Sequence, residues 1–173
     1  SGIFVCGLAM DRFRNLWITQ TDVSGSIKIL KPDGNWIVYP LTIDAPVRGD
    51  IISAKNGQKW IILPGSNSLY IIDDNETPEV FSDDRTKKLT ITDSDDKAIN
   101  SVFSAAEDHD GNIWIGTDQG PVIYYNTDRI FDSDLGLPAD RDNFVFDFQS
   151  LLSDLPEPCR HDDYRLDAFL NGF

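Results

Sequence analysis

The sequence predicts an all-β fold of about three repeated four-stranded antiparallel sheets. Three tryptophans, Trp17, Trp60 and Trp114, lie in the same short apolar setting, and a polar turn precedes each one. Trp17 and Trp60 are 43 residues apart, and Trp60 and Trp114 are 54 residues apart. This spacing brackets the ~40 to 50 residues of known four-stranded blades. The repeat therefore predicts part of a larger β-propeller over residues 1–131.

The first blade is predicted over residues 7–45. Its four strands are expected at 7–10, 16–21, 27–30 and 36–40. The last two are separated by Pro32-Asp33-Gly34-Asn35, whose residue types favour a tight turn. Short apolar runs joined by such turns indicate paired antiparallel strands.

The second and third blades are predicted over residues 49–82 and 99–131. The strands of the second are expected at 51–54, 60–63, 69–72 and 80–81, and those of the third at 102–106, 113–117 and 122–125. The longer second interval is assigned to a charged connector at 83–97. A long loop between blades is a plausible place for function.

Composition excludes several classes of partner. The chain has 173 residues, of which 40% are hydrophobic, enough for a packed core. Its formal charge of −14 repels nucleic-acid phosphates, so no nucleic-acid partner is expected. No run approaches the ~18 apolar residues of a membrane helix, so this segment is not expected to span a membrane.

Residues 132–173 form an acidic tail that lacks the tryptophan repeat. They contain ten acidic and three basic residues. Phe144, Phe146 and Phe148 alternate as they would along a strand. The tail is interpreted as a divergent fourth blade or as a cap on the exposed face of a blade.

The segment 106–117 is the best-preserved copy of the repeat, with Asp108, Asp110-Gly111-Asn112 and then Ile-Trp-Ile-Gly-Thr. It resembles the two-component-regulator propeller repeat, and the resemblance covers roughly residues 7–131. Segments 71–75, 83–89 and 120–126 look like the propellers of type IX secretion system surface proteins, the PorZ-like family.

That resemblance implies a large, secreted, non-catalytic propeller protein of Gram-negative bacteria. Such a protein works in cargo attachment at the outer-membrane surface and binds a lipopolysaccharide. The alternative implied by the repeat is a periplasmic sensor of a hybrid histidine kinase that detects glycan fragments. Both imply a periplasmic or extracellular location, with glycan and protein partners.

Loops after the tryptophan strands are the candidate ligand sites. In antiparallel sheets these loops share one end, together with the connectors between blades, and the turns before the tryptophans lie at the other end. Polar side chains there suit sugar hydroxyls, although a simple solvated turn is the stronger explanation for any one of these residues. The candidate residues are Thr21, Asp22, Ser24, Arg48, Asp50, Ser66, Asn67, Asp118 and Gln119.

Binding of an anionic glycolipid by so acidic a chain requires a local basic patch. Arg85, Lys87 and Lys88 in the charged connector are the candidate contact. Their replacement by alanine is expected to abolish glycolipid binding if the connector makes that contact.

The one candidate metal site in the sequence is a calcium loop in the turn before Trp114. Asp108, Asp110 and Asn112 imitate the start of a calcium loop, but an ordinary hairpin turn selects the same residues and the equivalent turns lack the paired aspartates. No resident metal or cofactor is therefore expected.

The repeated tryptophans are interpreted as core between blades rather than as a sugar-stacking platform, and Trp36 is expected to be partly exposed. The two histidines, His109 and His161, lie in a turn and in the tail, without zinc-site spacing. The chain is therefore expected not to be an enzyme. A propeller lyase, which relies on histidines clustered across blades, is the remote alternative.

Overall fold

The computed structural model describes residues 4–20, 27–41, 49–64, 68–92, 98–99 and 101–132. These residues form eleven strands and a short 3-10 helix, Thr127–Arg129. The strands of the first sheet are β1 (Val5–Met10), β2 (Leu16–Gln20), β3 (Ile27–Leu30) and β4 (Trp36–Tyr39). Those of the second are β5 (Ile51–Ser53), β6 (Lys59–Leu63), β7 (Ser68–Asp73) and β8 (Arg85–Thr90). The third contains β9 (Val102–Glu107), β10 (Ile113–Thr117) and β11 (Gly120–Tyr124).

Each sheet is antiparallel, and its strands are hydrogen-bonded in chain order. This arrangement confirms the predicted all-β class and its propeller blades. The turns explain the hairpins, because Gly57 and Gly111 adopt positive φ angles of 92° and 85° just before β6 and β10. Glycine reaches this backbone region without steric cost. Among the described residues no helix is long and apolar enough to cross a membrane.

Alternation along the strands gives the second sheet two apolar faces. One face packs with Trp17, Ile27 and Ile29 of the first sheet in a continuous cluster. The opposite face, which includes Trp60, packs with Ile113 of the third sheet in another cluster. Trp17 and Trp60 are fully buried, so they are core residues between sheets, as the sequence predicted. Trp36 is 58% exposed, which confirms the other expectation about the tryptophans.

The fourth strand of the second sheet is not where the sequence placed it. The predicted strand 80–81 lies in a loop where Val80 and Phe81 are exposed, and β8 occupies residues that were assigned to the connector. Pairing explains the difference, because β8 aligns with β7 from Asp73 opposite Arg85 to Ser68 opposite Thr90. The extra residues therefore lengthen the β7–β8 loop, and the second sheet extends past the predicted limit at residue 82.

The prediction for the acidic tail lies outside the described residues beyond Asp132. A divergent fourth blade or a cap at 133–173 thus stays a prediction.

Candidate functional site

The turn before β10 is built around the carboxylate of Asp108. Its Oδ1 accepts the backbone N–H groups of Asp110 and Asn112, each at 2.9 Å. Its Oδ2 accepts Asn112 Nδ2 and Trp114 Nε1, also at 2.9 Å. Burial raises the pKa of Asp108, but these hydrogen bonds outweigh it and hold the pKa below its ordinary value. The carboxylate thus fixes the turn and orients the tryptophan.

The turn before β2 repeats this arrangement. Asp11 Oδ1 accepts the backbone N–H groups of Phe13 and Asn15 at 2.9 and 2.8 Å. Its Oδ2 accepts Asn15 Nδ2 at 2.8 Å and Trp17 Nε1 at 3.1 Å. The second sheet carries an alanine at the corresponding position, and Gln58 Oε1 accepts Trp60 Nε1 at 3.1 Å instead.

These contacts bear directly on the candidate calcium loop. Both oxygens of Asp108 and the side chain of Asn112 are used inside the turn, and Asp110 is exposed. Within the described ranges no group of three or more histidine, cysteine or acidic side chains is arranged to hold a metal ion. The geometry therefore supports the turn interpretation of Asp108, Asp110 and Asn112.

An open polar cleft lies between the second and third sheets, at the same end as these turns. Its volume is about 310 Å³, near the lower limit of small-molecule sites. The residues that line it come from the β5–β6 turn, the β9–β10 turn and the segment around the 3-10 helix. They are Lys55, Asn56, Glu107, His109, Asp110, Gly111, Asn112, Asn126, Thr127 and Asp128.

Hydrogen bonds between the sheets hold the cleft together. Asn56 Nδ2 donates to Thr127 Oγ1 at 3.1 Å and to Asp128 Oδ1 at 2.9 Å. Below them, Gln58 Nε2 donates to the carbonyl of Thr127 at 2.9 Å. Asn126 enters the 3-10 helix with φ of 52°, a left-handed conformation that asparagine tolerates better than most residues. The walls are thus fixed to each other by side-chain amides.

The cleft is rich in hydrogen-bond acceptors. Lys55 Nζ donates to the carbonyls of Asp108 and His109 at 2.9 and 3.0 Å, and its backbone N–H donates to the Glu107 carboxylate at 3.0 Å. The positive charge is therefore engaged by the protein itself. Asp110 and Asp128 stand exposed at the rim, which suits the hydroxyl groups of a polar ligand.

Sequence reasoning placed the ligand at the opposite end and missed this cleft. One signal was available, since Asn126-Thr127-Asp128 is a cluster of turn-forming polar residues after the last predicted strand. The contact between Thr127 and Asn56, which lies 71 residues earlier in the chain, could not be predicted from any local sequence pattern.

The predicted ligand loops are described only in part. Thr21, Asp22, Ser24, Arg48, Ser66 and Asn67 lie outside the described residues, so their roles stay predictions. Asp50, Asp118 and Gln119 are exposed at the end of the sheets away from the cleft. Asp50 Oδ1 accepts the N–H of Ile51 at 2.8 Å, and Asp118 Oδ1 accepts the N–H of Ser101 at 3.3 Å.

The structure does not bring the three predicted glycolipid cations together. Arg85, Lys87 and Lys88 lie on β8 rather than on a connector loop, and alternation along the strand turns Lys88 to the opposite face. Arg85 pairs with Asp73, and its guanidinium carbon lies 4.8 Å from the Phe131 ring centroid. Lys87 Nζ donates to the carbonyl of Ile130 at 2.6 Å. Two of the three cations are therefore engaged within the protein.

Comparison with known proteins agrees with this architecture. Residues 97–119 match the family described as Two component regulator propeller. PorZ, an essential bacterial surface component of the type-IX secretion system of Porphyromonas gingivalis, is 29% identical to the chain with a TM-score of 0.65. The match covers 75% of this chain and 19% of PorZ, so the chain spans about a fifth of that relative.

A second similar structure is an enzyme. Virginiamycin B lyase from Staphylococcus aureus is 18% identical, with a TM-score of 0.55 over 71% of this chain and 38% of the lyase. At that identity the likeness concerns the fold alone. None of the curated proteins compared with the chain matches it. The chain thus carries a two-component-regulator propeller repeat on sheets whose β-propeller fold is similar to that of PorZ.

Proposed function

We propose that this chain is a non-enzymatic binding or scaffold segment of a bacterial surface protein that works with a type IX secretion system. The observation that carries the proposal is the similarity to PorZ, at 29% identity and a TM-score of 0.65 over three quarters of the chain. The proposal includes an extracytoplasmic location, because PorZ is a surface component.

The ligand that we propose is a glycan, either the polysaccharide of a lipopolysaccharide or a free fragment. The cleft between the second and third sheets supports this choice, since its acceptors Asp110 and Asp128 suit sugar hydroxyls. The same carboxylates repel phosphate, so contact through the sugar is favoured over contact through an anionic lipid head group.

A sensor of a hybrid two-component system is the second candidate. The match of residues 97–119 to the regulator propeller family favours it. A sensor domain would bind a free glycan fragment without needing a lipid, whereas a surface attachment protein would bind the lipopolysaccharide. A lyase has weaker support, because the likeness to virginiamycin B lyase concerns the fold alone and His109 is an exposed turn residue.

Calorimetric titration of the chain with purified lipopolysaccharide, with its lipid-free polysaccharide and with short free oligosaccharides tests the proposal. We expect both to bind if a surface protein recognises the sugar, and only short free oligosaccharides to bind if the chain is a sensor. Failure of every glycan to bind would contradict the glycan proposal and leave a protein scaffold to be tested by capture of secretion components.

Three variants locate the contact. Asp110→Ala with Asp128→Ala removes the cleft acceptors and is expected to weaken glycan binding about tenfold or more, since each lost hydrogen bond to a charged group contributes about 1.5 to 3 kcal/mol. Asp118→Ala with Gln119→Ala tests the opposite end of the sheets. Arg85→Ala with Lys87→Ala and Lys88→Ala tests the β8 cations. A loss confined to either of the last two variants would move the site away from the cleft.

A further inference from the structure

Two aspartates stand opposite each other where the β7–β8 loop meets the first sheet. The ladder of β7 and β8 ends with Asp73 opposite Arg85, so Asp74 and Asp84 face each other one position further on. Alternation along the strands turns both side chains to the face that packs against the first sheet, where Tyr39 donates to Asp84. Like charges placed directly opposite each other on neighbouring strands are destabilising.

Each carboxyl group of this aspartate pair has one oxygen with a partner and one without. Asp74 Oδ1 accepts Lys59 Nζ at 2.9 Å, and Asp84 Oδ2 accepts the Tyr39 hydroxyl. Asp74 Oδ2 and Asp84 Oδ1 are the two buried side-chain polar atoms of the described residues that make no hydrogen bond. Leaving such an oxygen unpaired is costly, and opposite side chains start from Cβ atoms only about 4.5–5.5 Å apart. One hydrogen between the two oxygens would therefore satisfy both.

Among the side chains that the structure describes, none supplies this hydrogen. Lys59 is their one buried cation, and its ammonium already contacts one aspartate oxygen, the Gly57 carbonyl at 2.6 Å and the Trp17 ring. Burial raises the pKa of Tyr39, so its hydroxyl keeps its one proton and donates it to the other partnered oxygen. The missing hydrogen has to come from the aspartate pair itself.

The other ionisable groups around the aspartate pair do not balance its charge. They are Asp11 and Arg12 of the β1–β2 turn, Tyr39 of β4, Tyr70 and Asp73 of β7, Glu76 and Asp83 of the β7–β8 loop, and Arg85 and Lys88 of β8. Arg12 pairs with Glu76, and Arg85 pairs with Asp73. Lys88 is exposed to solvent. Two carboxyl groups at this contact thus share a single buried cation, Lys59.

We propose that Asp74 and Asp84 hold one proton between them, as a carboxylic acid that donates to a carboxylate. The O–H of Asp84 donates to Asp74 Oδ2, while Asp74 stays ionised beside Lys59, so the buried group is neutral as a whole. Burial and the neighbouring negative charges raise the pKa of Asp84, although the Tyr39 hydrogen bond lowers it. Loss of the proton leaves one buried charge unbalanced. The aspartate pair is therefore a pH-sensitive latch that holds the β7–β8 loop on the first sheet and weakens as pH rises.

NMR titration of the carboxyl carbons in the whole chain tests the shared proton. We expect one carbon of the aspartate pair to keep the chemical shift of a protonated acid above the ordinary aspartate pKa of about 3.9. This signal should vanish in Asp84→Asn, whose amide N–H replaces the O–H as the donor to Asp74 Oδ2. Asp83→Asn, at the exposed neighbouring position, is the matched control and should keep the signal. Two wild-type carbons that both ionise in the ordinary range overturn the proposal, because a bound water or cation would then have to satisfy the two oxygens.

Urea unfolding across the same titration tests the latch. The stability of wild type should fall as pH rises through the range in which the retained proton leaves, because the unfolded chain has already released that proton. Asp84→Asn should show no fall in this range, whereas Asp83→Asn should fall as wild type does. An equal fall in Asp84→Asn would overturn the latch, since the group that titrates would then lie elsewhere. The wild-type titration decides the matter even if a variant fails to fold.

Discussion

The contact between the first and second sheets differs in kind from the contact between the second and third. In the first contact a charge is buried, since Lys59 Nζ lies 4.7 Å from the Trp17 ring centroid and 2.9 Å from Asp74 Oδ1. In the second contact Ile113 stands where the second sheet has Lys59, directly before the repeat tryptophan. In the buried part of that contact the two sheets meet through apolar side chains and the neutral amide of Gln58, and the charged contacts of Lys55 and Asp128 are exposed.

The difference shows that the position directly before the repeat tryptophan can pack against the preceding sheet either as a charged residue or as an apolar one. Lys59 and Asp74 have side chains 3% and 1% exposed, so both charges are removed from water. Desolvation offsets most of the attraction within such a pair, and an apolar replacement often matches its stability. The hypothesis that follows is that the pair specifies which sheet covers Trp17, whereas the apolar contact at Ile113 supplies stability without that specificity.

Removing one partner of the buried pair is expected to have the largest effect. Asp74→Ala leaves the Lys59 ammonium buried with the carbonyl of Gly57, 2.6 Å away, and the Trp17 ring as its remaining partners. An unpaired buried charge of this kind costs about 3 to 5 kcal/mol. Urea unfolding should show that loss in the free energy of unfolding.

One double variant separates the effect of charge from that of packing, and one single variant serves as an exposed control. Lys59→Leu combined with Asp74→Leu removes both charges and should recover most of the loss. Arg129→Ala removes an exposed ion pair with Asp132 and should change the free energy of unfolding by less than about 1 kcal/mol. A double variant as unstable as Asp74→Ala would show that the pair itself stabilises the contact.

A smaller loss of stability is expected when the neutral Gln58 is replaced at the contact between the second and third sheets. Gln58 is 3% exposed and joins Trp60 Nε1 to the carbonyl of Thr127. Gln58→Leu keeps the bulk of the side chain but leaves the buried Trp60 Nε1 without its partner, at about 2 kcal/mol. The Thr127 carbonyl still accepts the N–H of Ile130. Urea unfolding of this variant and of Asp74→Ala under one set of conditions checks the order. The comparison fails if Gln58→Leu is the less stable of the two.

Much of the fold could be predicted because the relevant signals are local. The tryptophan hairpins combine a turn with apolar alternation, and their strands lie within a residue or two of the predicted limits. The fourth strand of the second sheet could not be found in this way. Its sequence Arg-Thr-Lys-Lys-Leu-Thr has one buried residue, Leu89, and charges on an outer strand hide the apolar pattern while protecting the edge.

The cleft and the buried ion pair were not predictable for a different reason. Asn56 meets Asp128 across 72 residues, and Lys59 meets Trp17 across the boundary between two sheets. Such contacts depend on how sheets pack, which periodicity within one strand does not report. The prediction that the repeat tryptophans are core held for Trp17 and Trp60 because it rested on recurrence along the chain.

The smallest predicted effect concerns the response of the two contacts to acid. On the side of the second contact, hydrogen bonds hold the pKa of Asp108 below its ordinary value despite the opposing effect of burial. On the side of the first contact, Tyr39 of the first sheet donates to Asp84 of the β7–β8 loop. Burial raises the pKa of Asp84, and the charges of Asp74, Asp83 and Asp73 raise it further, although the Tyr39 hydrogen bond lowers it.

These shifts have opposite consequences for stability. The contribution of Asp108 is present above the unfolded aspartate pKa of about 3.9 and is lost as pH falls through its lower folded pKa. The contribution of Asp84 is complete below that unfolded value and is lost as pH rises through its higher folded pKa. Acid should therefore destabilise the Asp108 turn of the third sheet. It should stabilise the β7–β8 loop, because the buried charge of Asp84 is neutralised.

Urea unfolding of wild type, Asp108→Asn and Asp84→Asn between about pH 3 and pH 7 measures both responses, over the range in which an aspartate titrates. The stability advantage of wild type over Asp108→Asn should grow as pH rises. The advantage over Asp84→Asn should shrink over the same range, because the asparagine lacks the buried charge that forms in wild type. If the difference in unfolding free energy between wild type and each variant changed with pH in the same direction, the two contacts would not differ in their electrostatics.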